Sequence, residues 1–227
     1  MTLLNADTIT QRIDQIRQSM PESVRLIAVS KQVPPEAMRV AYAAGIRDFG
    51  ESRIQEAEAK QAELQDLPDI TWHLLGHLQT NKAAKALQLF QWIHSVDRLK
   101  IADRLNQLAA SAQQKPQVCL QVKLQPDPNK GGWEVPELQQ DLAILDQYEN
   151  LQIRGLMVIP PLGLTETELH DFFRLAQTLK TEINAQAWSR ITLTELSMGM
   201  SGDYAIAIQA GATMVRLGRI LFGDRTP

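Results

Sequence analysis

The chain has 227 residues, 44% of them hydrophobic and 22% charged, with a formal net charge of −3 and a pI near 5.8. That length suits one medium domain with a sizeable core, and residues 1–227 are read as a single domain. An acidic balance with no compensating Lys/Arg cluster argues against nucleic acid as a partner.

The opening stretch "MTLLNADTITQRIDQIRQSM" carries no basic segment followed by an apolar one, so no signal peptide is read. Its apolar Ile9, Ile13 and Ile16 predict an amphipathic helix over about 5–19. Short β-like runs then alternate with longer helical patterns. The strands are expected at 24–29, 47–49, 71–74, 92–94, 117–123, 153–158, 192–196 and 213–217. Helices are expected near 35–44, 52–65, 80–88, 97–112, 134–147, 166–186 and 202–210, with "GRILFG" as a closing turn. The fifth strand, "QVCLQV", holds the single cysteine, Cys119. It reads as a buried, inert thiol, and one cysteine suits a reducing compartment, the cytoplasm. No apolar run reaches the length of a membrane span.

Eight strand–helix units predict an α/β fold, a (β/α)8 TIM barrel with an extra N-terminal helix. The runner-up, a doubly wound sheet, lacks support, because the first strand is not followed by GxGxxG and no GxxxxGK[ST] occurs. A barrel concentrates its chemistry at the C-terminal ends of the strands. Those ends carry Ser30-Lys31, Gly50-Glu51, Gly76-His77, Ser95, Lys123, Pro160, Ser197-Met198-Gly199 and Arg216-Leu217-Gly218.

Two of these ends favour an anion. "ELSMGMSGDYAIAIQAG" passes from strand to helix with Ser201 as the expected N-cap, and the amides of a first helical turn suit phosphate. "MVRLGRILFG" is a second glycine turn, with amides around Gly218 and Arg219. Taken singly, each reads as a cap or a turn. Together, after the seventh and eighth strands, they read as a phosphate cradle. Asp203 must point outward if phosphate is to sit there. Lys31 at the barrel mouth, in a desolvated and cation-lined pocket, would have a lowered pKa and a neutral amine able to form a Schiff base. A sugar phosphate and pyridoxal 5′-phosphate (PLP) both qualify as the bound aldehyde. Arg216 favours PLP of an unusual kind, its guanidinium facing the pyridine nitrogen and keeping it unprotonated.

"AVSKQVP", "DFGESRIQEAEAK", "WHLLGHLQTNK", "GLMVIPP" and "LSMGMSGDYAIAIQAGATMVRLGRILFG" resemble the YggS/PROSC family of pyridoxal phosphate homeostasis proteins, in register over nearly the whole chain. The resemblance implies PLP fold type III, the alanine racemase barrel in a monomeric, single-domain form. It implies that Lys31 carries PLP as an internal aldimine and that Ser201, with the amides of Gly218 and Arg219, holds the phosphate. Arg216 would face the ring nitrogen. Read from the residues themselves, His77 would hydrogen-bond near the cofactor, Met198 would shape the pocket by packing, and Ser52 and Gly199 would complete the site. Members bind PLP and influence vitamin B6, amino-acid and keto-acid balance without established catalysis. PLP-dependent apoenzymes or a regulatory protein are the partner classes implied.

Two departures stand out. Gly50-Glu51-Ser52 replaces the family's usual Gly-Glu-Asn, and Val33 occupies a place where a second lysine is common. A secondary PLP lysine would then be Lys82, Lys123 or Lys130. The alternative activity is that of a fold-type III amino-acid racemase. Such enzymes take a second base from a β-rich domain of a partner subunit, and this sequence ends at Pro227, directly after its eighth unit. His73 and His77 are four apart but lie at a strand end, so no zinc site is read. His73 is expected in the core or pocket wall, His94 in the barrel wall, and Asp97 as a helix cap.

Overall fold

The computed structural model describes residues 6–127 and 129–223. Asn5, where the first helix is expected to begin, and Pro227 lie outside the described residues. Helix α1 (Ala6–Ser19) buries Ile9, Ile13 and Ile16. Among the described residues nine strands follow: β1 (Arg25–Val29), β2 (Asp48–Glu51), β3 (Thr71–Leu74), β4 (Trp92–Val96), β5 (Gln117–Lys123), β6 (Trp133–Glu134), β7 (Gln152–Met157), β8 (Glu195–Ser197) and β9 (Met214–Leu217). Eight of them close a parallel barrel in the order β1-β2-β3-β4-β5-β7-β8-β9, with β9 returning to β1 through Arg25↔Met214 to Ala28↔Leu217. The closing pair β4–β5 joins Trp92 to Gln117 and Ile93 to Val118. The barrel expected from eight strand–helix units is the fold of this chain.

The helices α2 (Pro35–Ala43), α3 (Ile54–Glu63), α4 (Ala83–Leu89), α5 (Leu99–Ala112), α6 (Val135–Leu145), α7 (Glu166–Asn184) and α8 (Tyr204–Gln209) surround the sheet, and α9 (Arg219–Phe222) closes it. Their starts follow local chemistry. Pro35 opens α2, where a missing N–H costs nothing. Thr165 and Glu168 form a reciprocal capping box at α7. Both faces of each strand are covered, so β1 is buried along Leu26–Val29, as a parallel sheet demands.

Four expectations need correction. The strand β6 was unforeseen: two residues pair with Val122 and Lys123 outside the barrel, too short a run for periodicity to reveal. The eighth unit's "GRILFG" turn is the single helical turn α9. Asp97 does not cap α5; Arg98 holds the N-cap position without a side-chain bond to the helix amides, while Asp97 is buried and pairs with His77 and Arg98. The run 192–196 enters the ladder only at Glu195. Before that, Asn184 bonds both the N–H and the carbonyl of Leu193, and Asp146 accepts the N–H groups of Ser189, Arg190 and Ile191. That segment satisfies its backbone through two side chains outside it rather than through a strand ladder.

The apolar core lies mainly between sheet and helices. Inside the barrel a second, smaller apolar group unites Ile27, Trp92, Cys119, Met157 and Met214. The rest of that interior is polar, with His73, His94, Ser197 and Arg216 all buried.

Candidate cofactor site at the barrel mouth

At the C-terminal ends of the strands lies a cleft of about 490 Å³ whose lining includes Lys31, Ser52, Ser201, Arg216, Gly218 and Arg219. Val29, Met157, Ile159 and Pro160 add apolar wall. That volume falls in the range of small-molecule sites, and a largely apolar wall with few convergent polar groups is their usual composition.

Lys31 follows β1 on a tight turn. Val33 N–H returns to Ser30 O at 2.9 Å, and Gln32 between them adopts the left-handed conformation with φ of 59°. A buried ionic cluster holds this turn from below. Lys60 Nζ donates to Ser30 O (2.6 Å), Glu51 Oε1 (2.7 Å) and Glu56 Oε1 (2.6 Å). Ser30 Oγ donates to the same Glu51 oxygen at 2.7 Å, and Glu56 accepts the backbone N–H of Gln32. Burial pushes the Glu51 carboxyl above its usual range, against the pull of Lys60 and Ser30. For Glu56 burial acts upward too, but Lys60 and the Gln32 N–H outweigh it and hold the carboxyl low. Among the described residues, Glu51 Oε2 is the single buried side-chain polar atom without a hydrogen-bond partner. Val33, where a lysine is common in the resembling family, is buried in the apolar core.

Across the cleft, Ser201 Oγ accepts long hydrogen bonds from the N–H groups of Gly218 and Ile220, both at 3.4 Å. Ser201 was expected to cap α8. Instead that helix starts three residues later, and the hydroxyl faces the first turn of α9. Ile220, not Arg219, supplies the second of these amides. Asp203, which would repel a phosphate unless it pointed outward, instead lines the cleft and closes its own turn: Oδ1 accepts the Met200 N–H at 2.5 Å, and burial raises its carboxyl, favouring the uncharged form that does not repel an anion.

Arg216 is 5% exposed. Its Nη1 donates to Ser197 Oγ at 2.8 Å and its Nη2 to Val158 O at 3.0 Å. Burial lowers the guanidinium to about 10, although the nearby Asp203 acts to raise it.

Three predicted site residues fall elsewhere. His77 turns away: its Nδ1 lies 2.9 Å from Asp97 Oδ2, with the side chain 55% exposed. Met198 is fully buried in the apolar core. Gly199, at φ of 90°, is set by packing behind the cleft, since a Cβ there would come within 2.7 Å of Ala207 Cβ. Of the candidate secondary lysines, Lys123 and Lys130 share a second cleft of about 580 Å³ with Asp97, Arg98 and Trp133, and Lys82 lines neither cleft. Lys123 pairs with Glu134 at 2.7 Å, and Lys130 with Asp127 at 2.9 Å and Pro160 O at 2.6 Å. The roles of Glu51, Lys60 and Ser197 escaped sequence reading. The spacing Glu56–Lys60 on one helix face offered the one local signal.

Residues 4–226 match the family model described as "Alanine racemase, N-terminal domain". An alanine racemase of Clostridium difficile 630 in complex with cycloserine shares the fold, with a TM-score of 0.76 at 16% identity, over 97% of this chain and 60% of that one. Among curated proteins, the "Pyridoxal phosphate homeostasis protein" of Synechocystis sp. is 53% identical over 211 residues, 93% of this chain and 96% of its relative. PipY of Synechococcus elongatus PCC7942, solved with PLP bound, superposes with a TM-score of 0.91 at 53% identity, over 95% of this chain and 100% of PipY. The chain therefore belongs to the pyridoxal phosphate homeostasis branch of the alanine racemase N-terminal domain family.

Proposed function

We propose that this chain binds PLP in the barrel-mouth cleft and serves vitamin B6 homeostasis as a carrier or regulator. The observation that carries this reading is the convergence of Lys31, Arg216, Ser201 and Gly218 on one cleft, with the amides of Gly218 and Ile220 turned to the Ser201 hydroxyl. The residues fit the group. Two amides and a hydroxyl converge where a phosphate oxygen can replace long, weak contacts with shorter, charge-assisted ones. When bound, PLP supplies an aldehyde that condenses with an amine, releasing water. Lys31 supplies that amine, on a turn braced by Lys60 and Glu51. Arg216 presents a donor to the ring nitrogen and keeps it an acceptor. Ser52 and the apolar wall confine the ring, and Arg219 adds positive charge at the rim.

The site acts without turnover, in the cytoplasm, on a monomer whose partners are PLP-dependent apoenzymes or a regulatory protein. Relatives named as homeostasis proteins rather than as enzymes support this reading. So does the cleft itself. Two-faced proton exchange needs a second base, and the one acidic side chain among the described lining residues, Asp203, is engaged with the Met200 N–H. Among the described residues no helix is long and apolar enough to cross a membrane.

Borohydride treatment of PLP-loaded protein, followed by peptide mapping, is expected to mark Lys31, and Lys31→Ala to lose the imine absorption band. A band that survives in the variant overturns the attachment. Racemisation or decarboxylation of L- or D-amino acids at ordinary enzymatic rates overturns the carrier reading.

A further inference from the structure

A chain of hydrogen bonds crosses the barrel interior from the cleft to the opposite rim. Arg216 Nη1 donates to Ser197 Oγ at 2.8 Å. Ser197 Oγ lies 2.8 Å from His94 Nδ1, His94 Nε2 lies 2.9 Å from His73 Nδ1, and His73 Nε2 lies 2.9 Å from Asp48 Oδ1. The five residues sit on five strands, β9, β8, β4, β3 and β2, and the step from Ser197 to His94 spans the barrel. Asp48 is the first residue of β2, at the end away from the cleft. It keeps 22% side-chain exposure and has Arg25 Nε at 3.9 Å. The two imidazoles and the serine are wholly buried.

With both imidazoles neutral, the Asp48 end of this chain dictates every proton in it. A guanidinium can only donate, an ionised carboxylate can only accept, and a neutral imidazole does one of each. From Asp48, His73 must carry its proton on Nε2, leaving Nδ1 to accept. His94 must then donate through Nε2 and accept at Nδ1. Ser197 must donate its hydroxyl to His94 and accept from Arg216. Arg216, which can only donate to Ser197, is compatible with this assignment, so the chain is polarised in one direction throughout.

The surroundings keep the imidazoles neutral. Burial acts first on both: His73 is held below its ordinary value although Asp48 pulls it up, and His94 is held well below, with His73, Arg216 and Arg25 adding to the effect. Trp92 stacks on His73 with ring centroids 5.9 Å apart and 11° between planes, fixing the ring that links the two halves. A protonated His94 would turn Nδ1 into a donor and displace the Ser197 hydroxyl proton from that contact.

We propose that Ser197, His94 and His73 are positioning residues that transmit the charge of Asp48, as hydrogen-bond polarisation, to Arg216 and fix its guanidinium against the bound cofactor's ring nitrogen. This rests on the PLP reading above, and it adds that a residue at the far end of the barrel sets the electronic state of the cofactor. Asp48 is not among the residues that line the cleft, and its polar partners are His73 and Arg25.

Two measurements test it, one of them independent of PLP. In cofactor-free protein, long-range ¹⁵N–¹H NMR of the imidazoles is expected to show both His73 and His94 as neutral Nε2–H tautomers at pH 7. An Nδ1–H tautomer or an imidazolium at either position overturns the wire, whatever the ligand. In PLP-loaded protein, Asp48→Asn is expected to move the ¹⁵N resonance of the cofactor's ring nitrogen and its absorption band. Ser197→Ala is expected to move them further and to weaken PLP about tenfold, the loss of one charge-assisted hydrogen bond, with Ser197→Thr restoring both. Spectra unchanged in folded Asp48→Asn overturn the transmission. Failure of wild-type protein to bind PLP sinks the cofactor reading while leaving the tautomer result to stand or fall alone.

Discussion

The two sides of the cleft rest on buried polar assemblies of opposite character. Beneath Lys31 the support is ionic: one ammonium, Lys60, serves two carboxylates and a backbone carbonyl, and one carboxylate oxygen is left without a partner. Beneath Arg216 the support is a neutral relay in which every donor meets one acceptor. The contrast follows from what each must hold. The Lys31 turn contains a left-handed glutamine and is pinned through its backbone, which strong, short-range charges do well. The Arg216 guanidinium must stay charged in a buried place. Neutral dipoles stabilise it there without cancelling its charge, as a directly paired carboxylate would.

The ionic side should break hardest. Lys60→Met leaves Glu51 buried and unpaired, and is expected to cost about 3–5 kcal/mol in urea unfolding. The double variant Glu51→Leu/Lys60→Met is expected to recover part of that loss, since no lone charge remains buried. A double variant as unstable as the single one would show that the cluster acts by shape rather than by charge.

The relay should respond to acid instead. Both imidazoles have folded pKa values below the ordinary 6.5. The stability they confer is therefore complete above pH 6.5 and is lost as pH falls below it, by up to about 1.4 kcal/mol per pH unit for each imidazole. Unfolding free energies measured from pH 7.5 to 5 check the sign. A flat profile would mean that the imidazoles titrate alike in the folded and unfolded chain.

Smaller effects sharpen the comparison. Gln32→Gly removes the left-handed strain above the ionic cluster and is expected to stabilise by less than about 1 kcal/mol. A loss of stability there would indicate that the glutamine side chain, rather than its N–H to Glu56, anchors the turn. In the second cleft, Lys123→Ala removes an ion pair whose carboxylate, Glu134, is 41% exposed. It is expected to change stability by about 0.5 kcal/mol or less, because water screens such pairs. A cost comparable to that of Lys60→Met would erase the distinction between buried and surface ion pairs drawn here.

Periodicity and turn chemistry made the barrel legible, and strand ends with the turns beyond them bring Lys31, Ser201, Arg216 and Gly218 to one face. The assignment of Ser201 as a helix cap and of His77 to the pocket failed for one reason. Both depend on where a side chain turns within three residues, which was settled by amides of α9 and by Asp97, far along the chain. The segment before β8 misled for a related reason: Asn184 and Asp146 satisfy its backbone, and nothing near residues 192–194 announces them.

The sequence by itself determined the eight-unit barrel and the strand ends on which Lys31 and Arg216 stand, because these follow from local periodicity and strand-end position. Tertiary structure alone decided which groups support that lysine and its opposing arginine. Lys60 reaches Ser30 from another helix, and His94 meets Ser197 across the interior from 103 residues away. Contacts of that kind exist only once the barrel closes, since closure is what brings β4 opposite β8.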